Sequence, residues 1–233
     1  MEPFLLPAIA VVLAAAALAA LGWWLLIQTE GVYVGPRVVR LLYDQSARAY
    51  DDIKEFDDEA DDRHLGRPLA ERLAGNDEAI VLDVGTGTAR LPLSLFRHLD
   101  FKGRVIGLDA SPGMLEAAQA KTVVFSESLD LVRSDARVLP VPAAACDAVT
   151  CIEALEFLPD MRQALREMVR VLRPGGTLVV TNRCGLDRWS FPGRGLAAGD
   201  FERLLRSLGV HEVRTERWLT YYDLVWATRT DER

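Results

Sequence analysis

"VLDVGTGTAR", residues 81–90, joins an apolar run to an aspartate and then breaks into a glycine-rich turn. Val81, Leu82 and Val84 read as a buried strand, and Gly85 and Gly87 allow a sharp turn that a ligand can approach closely. In an open parallel sheet such a turn lies at the carboxyl ends of the strands, where ligands bind. Its chemistry argues against a phosphate. No Gly-Lys-Ser/Thr closes it as in a Walker loop, and Arg90 stands where a dinucleotide fingerprint has its third glycine. Asp83, at the end of the strand, would repel a pyrophosphate and attract a cation.

Downstream the pattern alternates. "GRVIGLD" (103–109), "LDLVRSD" (129–135), "CDAVTCIEA" (146–154) and "TLVVTNR" (177–183) read as strands, with "HEVRTERWL" (211–219) and "YYDLVWATR" (221–229) as a final pair. Between them "ARLPLSLFRHL", "SPGMLEAAQAK", "MRQALREMVRVL" and "GDFERLLRSLG" carry helical spacing. Ser111 is placed to cap the second of these with Pro112 in its first turn, and the third is expected to stop at Pro174-Gly175-Gly176. The alternation predicts an α/β fold, a Rossmann-like, mostly parallel sheet with helices on both faces.

Three carboxylates close three successive strands: Asp83, Asp109 and Asp135. S-adenosylmethionine is a cofactor that would use all three. Asp83 suits its cationic part, Asp109 its ribose hydroxyls, and Asp135 its adenine amino group, with the backbone of Ala136 at the ring edge. Any one of them alone reads equally as a helix cap. A nicotinamide-dependent oxidoreductase conflicts with Asp83 and Arg90.

Residues 79–226 resemble a class I S-adenosylmethionine-dependent methyltransferase. The segments that carry the resemblance are "VLDVGTGTAR", "GLDASPGML", "SDARVLPVP", "CDAVTCIEALEFLPD" and "VLRPGG", in that order. Upstream, "YDQSARAYDD" is similar to the quinone-biosynthesis and small-molecule branch, where this helix helps close the pocket; Tyr43 and Tyr50 are the lid candidates. The resemblance implies a seven-stranded sheet whose last strand is antiparallel. It places Asp83, Gly85, Thr86, Gly87, Asp109, Ala110, Met114, Asp135 and Ala136 around the cofactor, although Met114 would suit a core equally well. Ala89 departs from the pattern, which usually has glycine there, and no histidine lies near Glu156 or Phe157. Methyl transfer needs above all a held near-attack geometry; should a base be required, Glu153 and Glu156 are the catalytic candidates, and otherwise they initiate a helix or touch the cofactor.

The net charge of −7, with no basic run, argues against a nucleic-acid partner. Cys146, Cys151 and Cys184 form no even set and no metal spacing, His64, His98 and His211 lie far apart, and no metal is expected. The acidic stretch "DDEADD" (57–62) reads as a solvated face.

From Pro3 to Thr29 no side chain is charged. As a helix, Phe4 to Ile27 would reach about 36 Å, enough to cross a hydrocarbon core of about 30 Å. The run reads as one transmembrane helix, with Trp23 and Trp24 towards its end; a cleaved signal peptide is the alternative. Arg37, Arg40 and Arg48 follow it, which predicts a single-pass membrane protein whose catalytic domain is cytoplasmic. The expected organisation is an anchor over 1–30, a helical lid or linker over 31–78 and a methyltransferase domain over 79–233. The expected function is methylation of a small, lipophilic acceptor at the membrane; the alternative is a non-catalytic S-adenosylmethionine-binding module that assists another membrane protein.

Overall fold

The computed structural model describes residues 5–230. Seven strands form one sheet: β1 (Ile80–Val84), β2 (Arg104–Asp109), β3 (Leu129–Arg133), β4 (Cys146–Cys151), β5 (Leu172–Arg183), β6 (Val210–Trp218) and β7 (Tyr222–Arg229). Their spatial order is β3-β2-β1-β4-β5-β7-β6. The first five run parallel and β7 is antiparallel to both of its neighbours. The order reverses between β1 and β4, so a crevice opens at their carboxyl ends.

Alternation along the strands splits the core into two layers. Leu82, Val149, Leu178 and Val180 face helices α8 (Met161–Val171) and α9 (Ala198–Ser207), where Leu165, Met168, Phe201 and Leu205 are buried. Val81, Val105, Val179 and Trp226 face α5 (Arg67–Leu73) and α6 (Arg90–Phe96), meeting Leu69, Leu91 and Leu95. Helix α7 (Pro112–Lys121) starts as its sequence demands: the Ser111 hydroxyl accepts the Met114 amide at 3.1 Å.

One boundary differs from expectation. Helix α8 ends at Val171 and β5 begins at Leu172, upstream of the Pro-Gly-Gly stop, with Leu172 paired to Cys146. Pro174 disfavours the helical conformation at Arg173, and the extended chain instead continues into the strand through Gly175 at φ +74°.

The amino-terminal helix α1 (Leu5–Trp23) continues through one wide π-turn to Gln28. Its stretch Pro7–Gln28 has mean hydropathy 2.3 and none of it is buried against the rest of the chain. A tight turn with Glu30 and Gly31 at positive φ then leads into α2 (Pro36–Ser46), followed by the short helices α3 (Tyr50–Lys54) and α4 (Asp58–Asp61).

Candidate active site

A cavity of about 510 Å³ sits at the carboxyl ends of β1 to β4. Its walls come from the turn after β1 (Gly85, Gly87), the end of β2 (Leu108 to Ser111), the segment after β3 (Arg133 to Arg137), and Ile152, Glu153, Ala154 and Phe157 after β4. Pro36, Val39, Tyr43 and Tyr50, from α2 and α3, cover it.

The glycine turn is built for close approach. A Cβ on Gly85, at φ +74°, would come within 2.6 Å of the Ala154 Cβ, so this position accepts no side chain. Gly87, at φ +53°, has open space where its Cβ would point, and its amide donates to Asp109 Oδ2 at 2.9 Å. Ala89 adopts the left-handed conformation, φ +69°, that a glycine takes without strain.

The three strand-end carboxylates divide. Asp109 lines the cavity, its carboxylate fixed by the amides of Gly87 and Ser111 at 2.9 and 2.8 Å, and burial raises its pKa. Asp135 also lines it and is paired to Arg137 at 2.6 Å, an interaction that holds its carboxyl below the usual range. Asp83 does not reach the wall. It is buried beneath the turn, accepts the Thr150 hydroxyl at 2.7 Å, and burial pushes its pKa up to about 6. Of the other residues expected around a cofactor, Gly85, Gly87, Ala110 and Ala136 line the cavity, whereas Thr86 and Met114 are buried behind it.

The two candidate bases also separate. Glu153 lines the cavity in a left-handed backbone conformation, φ +52°, with its amide donating to Thr181 Oγ1 at 2.6 Å and its carboxylate accepting Arg90 Nη1 at 2.7 Å. Glu156 lies off the cavity. It is buried in an ion pair with Arg183 at 2.9 Å and accepts the Tyr222 hydroxyl, with Phe191 stacked over the guanidinium at 4.0 Å. Glu156 Oε1 is thus engaged by Arg183 and Tyr222 and the residue is absent from the cavity wall, which makes Glu153 the better placed of the two candidates.

Sequence reasoning missed what holds the cover down. Asp44 accepts the Ser111 hydroxyl at 2.5 Å and the Gly113 amide at 3.1 Å. Asp51 accepts Thr88 and Lys121, both at 2.5 Å. Asp61, inside the acidic stretch read as solvated, is buried and forms a two-pronged pair with Arg90, both bonds 2.6 Å. Asp58 meets Arg97 and Asp62 meets Arg67, so the stretch faces a basic partner surface as well as water. Arg90 also stacks on Phe56 at 4.1 Å and Trp218 at 5.1 Å, which joins cover, turn and sheet in one contact set. Tyr43 donates to Glu30 Oε2 at 2.6 Å and packs at 5.8 Å against both Tyr50 and Phe157, forming an aromatic wall. The signal in "YDQSARAYDD" was its aspartates as much as its tyrosines.

Comparison with known proteins agrees with this geometry. The profile of the family described as "Methyltransferase domain" matches residues 82–180, which contain most of β1, all of β2 to β4, most of β5, and the cavity wall that belongs to the sheet. Residues 82–180 form a methyltransferase domain. A demethylmenaquinone methyltransferase of Staphylococcus epidermidis is 44% identical over 98 residues, 42% of this chain and 40% of the relative. Its counterpart in Lactiplantibacillus plantarum is 36% identical over 143 residues, 60% of each chain. The chain thus spans 40 to 60% of the length of these curated relatives. Among solved structures, the [4+2]-cyclase SpnF superposes with TM-score 0.68 at 23% identity, covering 82% of this chain and 95% of that one. That likeness concerns the fold alone.

S-adenosylmethionine is the cofactor of the methyltransferase domain, and the residues present fit it. Asp109 is an acceptor caged by two amides at the end of β2, placed for a pair of ribose hydroxyls. Leu108 and Ala136 supply apolar surface for a flat ring, and Gly87 leaves its backbone open to the cavity. Among the described residues no group of histidine, cysteine, aspartate and glutamate is arranged to hold a metal ion.

Proposed function

We propose that the chain is a membrane-anchored methyltransferase that methylates a small, lipophilic acceptor at the cytoplasmic face. The observation that carries this reading is the position of the cavity: its floor is the Asp109 and Gly87 cradle, and its roof is the aromatic helix pair that follows directly from the apolar helix. Names of the similar proteins, demethylmenaquinone methyltransferases, support an acceptor of the quinone type. The apolar stretch Pro7–Gln28 is long enough to span a bilayer, and Arg37, Arg40 and Arg48 beyond it support a cytoplasmic domain.

When bound, S-adenosylmethionine supplies an electrophilic methyl group for an in-line displacement. The chain's own residues prepare for that transfer. Asp109 and Asp135 orient the nucleoside, and Asp83, from beneath the turn, adds negative potential for a cation. Tyr43, Tyr50 and Phe157 form a wall for a flat acceptor and exclude water from the reacting centre. Glu153, the candidate base that lines the cavity, takes the acceptor's proton and returns it to solvent, with Arg90 holding its carboxylate in place.

The test is to incubate the purified chain with methyl-labelled S-adenosylmethionine and membrane lipid extract plus cytosol, with Asp109→Ala as control. Label in the organic phase that is lost in the variant supports the reading. Label confined to the aqueous phase removes the lipophilic acceptor, and cofactor binding without transfer to either phase favours a binding module.

A further inference from the structure

The cavity mouth, the end of the apolar helix and one exposed loop lie side by side. Trp24, in the last turn of the apolar helix, stacks on Tyr33 with ring centroids 5.1 Å apart. The Tyr33 hydroxyl donates to the Pro192 carbonyl at 2.8 Å, in the loop that follows β5. Arg194, in the same loop, donates to the Leu158 carbonyl at 2.6 Å, and Phe191 packs edge-on against Phe157 at 5.9 Å. Leu158 and Phe157 both line the cavity. The loop therefore bridges the helix end to the cavity lip.

What the loop shows to solvent is chemically specific. Asp187–Ser190 form a single 3₁₀ turn, in which the Trp189 amide donates to the Leu186 carbonyl at 3.0 Å. Side chains three apart eclipse in this geometry, so Leu186 and Trp189 point the same way. They are 88% and 74% exposed. The Arg188 guanidinium lies beside the indole at 5.5 Å, and Arg37 and Arg40 stand at the cavity edge from the α2 side. Nearby acids are already matched: Glu30 by Lys54 and Tyr43, Asp187 by Arg183. Isolated exposed leucines are ordinary on protein surfaces. A leucine and a tryptophan on one turn, with Arg188 beside the indole and the loop tied to the end of an apolar helix, suit the boundary between phosphate headgroups and acyl chains.

We infer that residues 186–194 make a second contact with the phospholipid bilayer, with Leu186 and Trp189 inserted at the headgroup boundary and Arg37, Arg40 and Arg188 on lipid phosphates. The cavity mouth then faces the membrane, and a lipophilic acceptor passes from the bilayer between α2 and the loop without crossing water. This inference deepens the anchored reading proposed above and rests on it.

The test uses tryptophan quenching in the full chain, reconstituted in phosphatidylcholine and phosphatidylglycerol nanodiscs with or without bromine on the acyl chains. Trp218 and Trp226 are buried in the sheet's core and give a constant background. Subtracting the Trp189→Phe spectrum isolates the loop, and a Trp23→Phe/Trp24→Phe variant isolates the helix. The expected result is that brominated lipid reduces the Trp189 component at least twofold, alongside quenching of the helix component. An unquenched Trp189 with a quenched helix component overturns the loop contact and leaves the anchor standing. If neither is quenched, the helix lies outside the bilayer and both readings fall.

Discussion

Replacing Arg90 tests whether one ion pair holds the cover on the sheet. The side chains of Arg90 and Asp61 are 13% and 3% exposed, so they form a desolvated pair with two parallel bonds of 2.6 Å. Arg90→Met keeps most of the apolar stem and removes the charge, which leaves Asp61 buried without its partner and frees Glu153. Breaking such a pair from one side costs about 3–5 kcal/mol, and losing the contact with Phe56 and Trp218 adds up to about 1 kcal/mol. That is a large share of the roughly 5–15 kcal/mol that keeps a domain folded. Asp61→Asn alone should cost less, about 2–3 kcal/mol, because Arg90 keeps its pair with Glu153. The double variant should cost less than the sum by about 2–3 kcal/mol, because neither charge remains to be orphaned. The assay is urea unfolding of the full chain in detergent, followed by far-ultraviolet circular dichroism. Hydrogen exchange should show faster exchange in residues 50–66 before the sheet responds. Single-variant costs below about 1 kcal/mol that simply add would refute the idea that this pair latches the cover.

Other expectations concern the cofactor cradle and its surroundings. In the free protein Asp83 titrates at about 6 because it is buried. A cation prefers the ionised form, so affinity for S-adenosylmethionine should fall as pH drops through about 6, and calorimetry on Asp83→Asn should show that inflection lost. The sign for stability is the reverse: a carboxyl raised above its unfolded value costs stability as pH rises from about 4 to about 6, at most about 3 kcal/mol. The melting temperature of Asp83→Asn relative to wild type should therefore increase across that window. Gly85→Ala combines a left-handed residue, costing about 1–2 kcal/mol, with a 2.6 Å clash at Ala154. It should weaken cofactor binding at least tenfold by calorimetry, and adding Ala154→Gly should restore part of the loss. Glu156→Gln should lower stability by about 3 kcal/mol, because Arg183 loses a buried partner. Its pH–rate profile per folded molecule should stay unchanged; a lost limb would place Glu156 back in the chemistry.

The local pattern was enough to read the alternation of strands and helices, the Ser111 cap, the glycine turn and the apolar amino-terminal run. Periodicity, caps and turn residues act within a few positions of the chain, so they are legible one segment at a time. Even there, the start of β5 escaped, since its first residue is extended by pairing with Cys146 on a different strand. The site itself was legible as a set of residue types, but its assignments depended on which side of each element faced the crevice. Asp83 and Asp109 both end strands, yet one lies behind the turn and the other on the cavity wall. Glu153 and Glu156 stand three apart, and only the tertiary packing directs the first to the cavity and the second to Arg183 and Tyr222. An acidic run looks the same whether water or arginine faces it. What made Asp61 a buried latch was Arg90, brought to it across 29 positions of chain by the packing of α4 against α6. Charge pairing is decided by distances of a few ångströms between elements remote in sequence, and those distances exist only once the sheet has assembled.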